Sequence, residues 1–285
     1  MTDHVTLFEM GPRDGLQNEK AMIATADKIK LVDMLTDCGF SKIEVTSFVS
    51  PKWVPQMADA SDVLAGITRA DGVSYAALTP NMRGLTGAQA AKANEVAIFG
   101  SASEGFSQAN INCSIDESLE RFAPVLEAAK AVGLPVRGYV SCTVECPFDG
   151  ATPPENVLRV TKALLDMGCY EVSLADTIGT ATPSGISRML DAVLTEVAPE
   201  LLAGHYHDTG GRALDNIKVS LDKGLRVFDA AVGGLGGCPY APGAQGNVAT
   251  ESVVAMLEAH GYATGIDQEA LAKAAAFALS LKETA

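Results

Sequence analysis

Aromatic residues make up only 6% of this 285-residue chain, with a single tryptophan, and positive charge is in short supply: 21 Lys and Arg face 35 Asp and Glu, a formal net charge of −14. Nucleic acids and anionic membranes reward the opposite balance, so neither is an expected partner. An anionic substrate would have to be met by local basic groups. The N-terminus MTDHVTLFEM has no basic leader and no long apolar stretch, and we expect a cytoplasmic protein. Nothing between Asp229 and Glu251 is charged, yet that stretch holds many glycines, Pro239, Pro242, Gln245 and Asn247. It reads as a close-fitting loop around a ligand and not as a membrane span. The 6 cysteines contain no CxxC pair. With no regular spacing either, they point to free thiols in a reducing, cytoplasmic setting.

Apolar material is plentiful, at 47% of the residues, enough for a packed core. Short β-branched runs alternate with helical patterns along the chain. The runs predict eight strands, near residues 5–9, 42–47, 73–78, 95–100, 135–141, 170–175, 204–207 and 226–232. Thr25 is an expected helix cap, Ser114 with Glu117 forms a capping-box pattern, Thr152 with Glu155 repeats it, and Thr182-Pro183 opens another helix. Pro124 sits where a helix interior should be and predicts a kink or a late start. Eight βα alternations without a linker predict an α/β fold, a (β/α)8 TIM barrel over residues 1–285 as one domain, with a short C-terminal helical addition after Glu251. An open doubly wound sheet is the structural rival, but it wants a Gly-rich phosphate turn where this chain has Gly11-Pro12-Arg13-Asp14-Gly15.

Barrel chemistry sits at the C-terminal ends of the strands, and polar residues collect there. His205 and His207, two of only 4 histidines, are spaced to share one face of the seventh strand. Two converging neutral imidazoles suit a divalent metal; two hydrogen-bonded structural histidines are the plain alternative. Asp208 either holds a ligand imidazole or lies in the following turn. Asp14 and Asn247 offer a carboxylate and an amide oxygen, a mixed set suited to Mg²⁺ or Mn²⁺ more than to structural Zn²⁺; taken singly, each reads more simply, Asp14 as a turn residue before Gly15 and Asn247 as a loop cap. Arg13 suits an enolate or carbonyl oxygen, with a salt bridge to Glu44 as its ordinary reading; the two are compatible. Cys238, inside the Gly-rich stretch, is either a proton carrier or nucleophile on a mobile lid, or simply a small buried hydrophobe.

Three long segments, Glu9–Glu19, Glu44–Gln56 and Gly234–Thr250, with Arg137-Gly-Tyr-Val-Ser-Cys142 and Asp176-Thr-Ile-Gly179, closely resemble the 3-hydroxy-3-methylglutaryl-CoA lyase family. The wider superfamily makes or breaks carbon–carbon bonds through enolates. The resemblance implies that Asp14, His205, His207 and Asn247 bind a divalent cation, Mg²⁺ or Mn²⁺. It implies that Arg13 binds the substrate carbonyl, that Cys238 is the cysteine of the active-site loop, and that Glu44 and Asp176 are catalytic. The implied substrate is an acyl-CoA, cleaved to acetyl-CoA and acetoacetate in leucine degradation. The implied assembly is a homo-oligomer, a dimer. His205, Asp14 and Asp176 remain alternatives for the general base. Gly210, Arg212 and Ala175 stand where Tyr, Gln and Gly are expected, so a longer 3-hydroxyacyl-CoA is the alternative substrate.

Three other functions compete. Amidohydrolase barrels carry their HxH pair on the first strand and need further histidines, whereas His4 and His260 lie near the chain ends. Iron oxygenases with a 2-His-1-carboxylate site usually occupy an all-β fold. A catalytically dead scaffold is disfavoured by the presence of the whole proposed metal set together with Arg13.

Overall fold

The eight expected strands form, each within about two residues of its expected bounds, and they close on one another. In this computed structural model, which describes residues 3–237 and 246–283, the barrel strands are β1 (Thr6–Glu9), β2 (Lys42–Ser47), β3 (Ser74–Leu78), β4 (Glu95–Ser101), β5 (Val136–Ser141), β8 (Glu171–Asp176), β9 (Leu202–Tyr206) and β10 (Val227–Ala230). A small antiparallel hairpin, β6 (Glu145–Cys146) and β7 (Gly150–Ala151), decorates the turn after β5. All barrel pairings are parallel, and β1 closes the ring on β10 with Thr6 opposite Val227 and Glu9 opposite Ala230.

The helices that return the chain are α1 (Thr25–Asp37), α2 (Ala60–Gly66), α3 (Met82–Ala90), α4 (Glu104–Ile111), α5 (Ile115–Ala131), α6 (Pro154–Met167), α7 (Pro183–Val193) and α8 (Ala213–Asp222); α9 (Thr250–Ala259) and α10 (Gln268–Glu283) complete the outer layer. Their apolar stripes explain the layering. In α6 the buried positions Val157, Val160, Thr161 and Leu164 repeat at helical spacing, one face turned to the sheet. Val157, Val160 and Leu164 share the main core with Val172 and Leu174 of β8. The opposite face of the pleat fills the barrel. Phe8, Met10, Ala76, Leu78, Ala97 and Tyr139 form a separate buried cluster there. Arg137 joins them at 0% exposure, its guanidinium 4.4 Å from the Phe8 ring centroid.

The helix signals divide. Ser114 and Glu117 make both bonds of the capping box, and Thr182 caps α7 by accepting from the Gly185 N–H. Thr25 does not cap α1. It lies inside the helix and its hydroxyl donates to Asp59 instead. Thr152 does not cap α6 either: Pro153 takes the N-cap position, and the buried Thr152 hydroxyl has no partner among the described residues. Pro124 produces no late start, since α5 runs continuously from Ile115 to Ala131 with the proline inside it. Among the described residues no helix is long and apolar enough to cross a membrane.

Candidate active site

Beyond Glu9 the chain tightens into a single π-helical turn, Gly11–Gly15, opened by Pro12. Such wide turns recur at functional positions because they re-aim consecutive side chains. Here the turn directs Arg13 and Asp14 into the C-terminal mouth of the barrel. Across the mouth, His205 lies on β9 and His207 just beyond it, both pointing inward as their spacing predicts. Both Nε2 atoms lie 3.9 Å from Asp14 Oδ2. Ligand atoms of Asp14, His205 and His207 all fall within 4.8 Å of one another.

The remaining partners close around this trio. Arg13 donates through Nη1 to Asp14 Oδ1 at 2.6 Å and through Nε to Glu44 Oε2 at 2.5 Å. Its Nη2 makes no hydrogen bond to a described residue. Asn247 donates through Nδ2 to Asp14 Oδ2 at 2.7 Å and to the Leu235 carbonyl at 3.2 Å. Asn247 is delivered there by a backbone bridge to His207. Gly236 permits this approach, because a Cβ at that position would lie 2.8 Å from Asn247 Nδ2, and its φ of +115° suits glycine alone.

Charge follows contact. Burial raises the Asp14 pKa, but Arg13 and the two imidazoles outweigh it and hold the carboxyl below the ordinary range. Burial lowers His207 to about 4, with His205 adding to the effect, so its imidazole is neutral and able to bind a cation at neutral pH. His207 Nδ1 is buried and has no hydrogen-bond partner among the described residues. One carboxylate, two imidazoles and an adjacent amide form a donor set suited to a divalent cation.

The structure places the other expected residues unequally. Glu44 is fully buried beside Arg13 and also accepts from the Tyr139 hydroxyl at 3.2 Å. Asp176 lies elsewhere. The register pairs it with Tyr206, and Ala175 with His205, so the pleat carries the Asp176 side chain to the outer side. There it accepts the Ala181 N–H at 3.0 Å and organises the turn after β8. Burial lifts it to about 6. Its other carboxylate oxygen, Oδ1, is buried and meets no hydrogen-bond partner among the described residues. Asp208 belongs to the following turn, where it accepts the Ala213 N–H at the start of α8. Cys238, and with it most of the expected lid, lies outside the described residues.

One group went unread in the sequence. Asp229, on β10, is 1% exposed and lies 3.0 Å from His205 Nδ1. It also receives Ser173 Oγ at 2.8 Å and two Arg137 nitrogens at 2.8 and 3.1 Å. Burial raises its pKa, but Arg137 and His205 outweigh that effect and leave it at about 2. The available signal was the pairing of β9 with β10, which sets Asp229 opposite His205.

Fold and site together define a (β/α)8 barrel with a candidate Asp–His–His metal centre beside a buried arginine–glutamate pair. Residues 4–278 match the HMGL-like family model, and the chain belongs to that family. It is 57% identical over 273 residues to the mitochondrial hydroxymethylglutaryl-CoA lyase of Bos taurus, covering 96% of this chain and 84% of that one. It is also 57% identical over 270 residues to the 3-hydroxy-3-isohexenylglutaryl-CoA/hydroxy-methylglutaryl-CoA lyase of Pseudomonas aeruginosa, covering 95% and 90%. Among solved structures, the HMG-CoA lyase from Brucella melitensis superposes with a TM-score of 0.97 at 61% identity, covering 99% of each chain.

Proposed function

We propose that this chain is a divalent-cation-dependent lyase that cleaves 3-hydroxy-3-methylglutaryl-CoA to acetyl-CoA and acetoacetate. The observation that carries the reading is the juxtaposition of the Asp14–His205–His207 cluster with Arg13, whose Nη2 is uncommitted among the described residues. The substrate has a tertiary hydroxyl, a distal carboxylate and a thioester. Cleavage takes the hydroxyl proton, breaks the adjacent C–C bond and leaves the electron pair on the thioester as an enolate.

Asp14, His205, His207 and Asn247, the last through its Oδ1, would hold the cation, Mg²⁺ or Mn²⁺. When bound, it supplies a Lewis acid for the hydroxyl and carboxylate oxygens. Arg13 meets the enolate oxygen. Glu44 and Asp14 fix its Nε and Nη1 and leave Nη2 free to donate, a charge oriented before the reaction starts. With Asp176 on the outer side, the candidate proton acceptors that face the cluster are His205 and Asp14. The proton that quenches the enolate is assigned to Cys238 on the strength of the family resemblance. Gly210 and Arg212 lie in an exposed turn, where Arg212 donates to the Thr180 carbonyl. Their departure from the family pattern falls outside the cluster, so the methylglutaryl substrate is preferred to a longer acyl chain.

Removal of divalent metal should abolish acetoacetate release, and Mg²⁺ or Mn²⁺ should restore it. Arg13→Met should lower kcat by about 10²–10³-fold with a smaller change in KM. Full turnover in metal-free protein, or an Arg13→Met variant altered in KM alone, would contradict the assignment.

A further inference from the structure

We infer that Asp229 is the positioning residue of His205: it accepts the Nδ1 proton and so turns the Nε2 lone pair toward Asp14 and His207. A neutral imidazole carries one N–H, and its other nitrogen is the acceptor or ligand. The partners of Asp229 decide which nitrogen that is. Arg137 donates to both carboxylate oxygens, at 2.8 Å to Oδ1 and 3.1 Å to Oδ2, and Ser173 Oγ donates to Oδ2 at 2.8 Å. A guanidinium has no acceptor, so it pins the carboxylate as an acceptor on every side. His205 Nδ1, 3.0 Å from Oδ2, must then be the donor.

Arg137 cannot drift to release this grip. It is fully buried, and Glu171 accepts from its Nε at 2.7 Å while its Nη1 also donates to the Tyr139 hydroxyl at 3.1 Å. The neighbouring imidazole shows the contrast. His207 Nδ1 is buried and has no partner, so no contact in the described residues selects its tautomer. One ligand nitrogen is therefore set by the protein before a cation arrives, and the other is not. A carboxylate behind a ligand imidazole typically governs ring orientation and metal affinity.

The inference rests on the metal reading of the cluster, and the test separates the two. Nitrogen–proton correlation spectra of the metal-free native chain, with His205→Gln and His207→Gln as assignment controls, report each tautomer directly. His205 should appear as the Nδ1–H form, and finding it as Nε2–H overturns the inference whatever the metal result. In Asp229→Asn the amide oxygen is drawn to Arg137 and its NH₂ turns to His205, so His205 should switch to Nε2–H while His207 stays as it was. Mn²⁺ affinity, read by the spin-resonance signal of the free ion, should weaken about 10–100-fold. A folded Asp229→Asn protein with native Mn²⁺ affinity and an unchanged His205 tautomer also overturns it. If that variant does not fold, the native spectrum decides alone. No Mn²⁺ binding by the native chain would contradict the metal reading, while the tautomer would still decide the role of Asp229.

Discussion

Glu9 is fully buried, yet among the described residues its carboxylate is bonded to no cation. Its partners are the Gly11 and Val232 N–H groups, both at 2.8 Å, and the Thr250 hydroxyl at 2.7 Å. One side chain thus ties the turn carrying Arg13 to both flanks of the Gly-rich stretch. Burial is the largest influence on Glu9 and lifts its pKa to about 7, against those three hydrogen bonds, which lower it. Between its ordinary value and about 7, the folded chain keeps a proton that the unfolded chain releases. The contribution of Glu9 to stability therefore falls as pH rises through that window and is constant above it. Glu9→Gln keeps the shape and removes the charge. Its stability relative to the native chain should improve from about pH 5 to about pH 7 and then hold level, as measured by urea midpoints across that range. A difference independent of pH would show that Glu9 does not titrate there. None of this was legible in the sequence, where a carboxylate ending a strand reads the same whether it meets a cation or three neutral donors. Arg13, Asp14, His205 and His207 were legible, because strand-end placement and i, i+2 spacing are local properties.

At the scale of elements, what could be read depended on whether the signal was contained within a few residues. The Ser114–Glu117 capping box needs only its own turn, and it forms with bonds of 3.1 and 2.9 Å. Thr152 and Glu155 have the same spacing, but Pro153 between them takes the N-cap place and leaves the Thr152 hydroxyl without a partner among the described residues. The two sites should therefore answer differently to the same change. Ser114→Ala should cost about 0.5–2 kcal/mol, the range for a lost N-cap. Thr152→Ala should cost little, since it removes a buried hydroxyl that has no bond to lose. Thermal unfolding of the two variants side by side checks this, and equal losses would show that Thr152 has a partner in solution. The surroundings of Asp176 were not legible for a related reason. Its face depends on the register with β9, which pairs it with Tyr206, and no spacing inside β8 reveals that.

Across the whole molecule, hydrogen bonds run without a break from His205 through Asp229, Arg137, Tyr139 and Glu44 to Arg13. The barrel interior therefore joins the candidate metal cluster to Arg13 as one polar layer set among aromatic and small apolar side chains. The cluster also spans the seam of the ring. Asp14 follows β1, the first strand; His205 lies on β9, the strand beyond β10; and only the β1–β10 pairing brings the first strand to the last. This seam joins the segments most distant in the chain, a contact that is costly to form early because a long loop must be closed first. A bound cation should accordingly act as a clock on opening. It should leave the refolding rate nearly unchanged and slow unfolding, by up to about 100-fold when free Mn²⁺ is about 100 times its Kd. Stopped-flow unfolding and refolding with and without Mn²⁺ would reveal the asymmetry, and a cation that instead sped refolding would place the closing of the first strand on the last before the rate-limiting step.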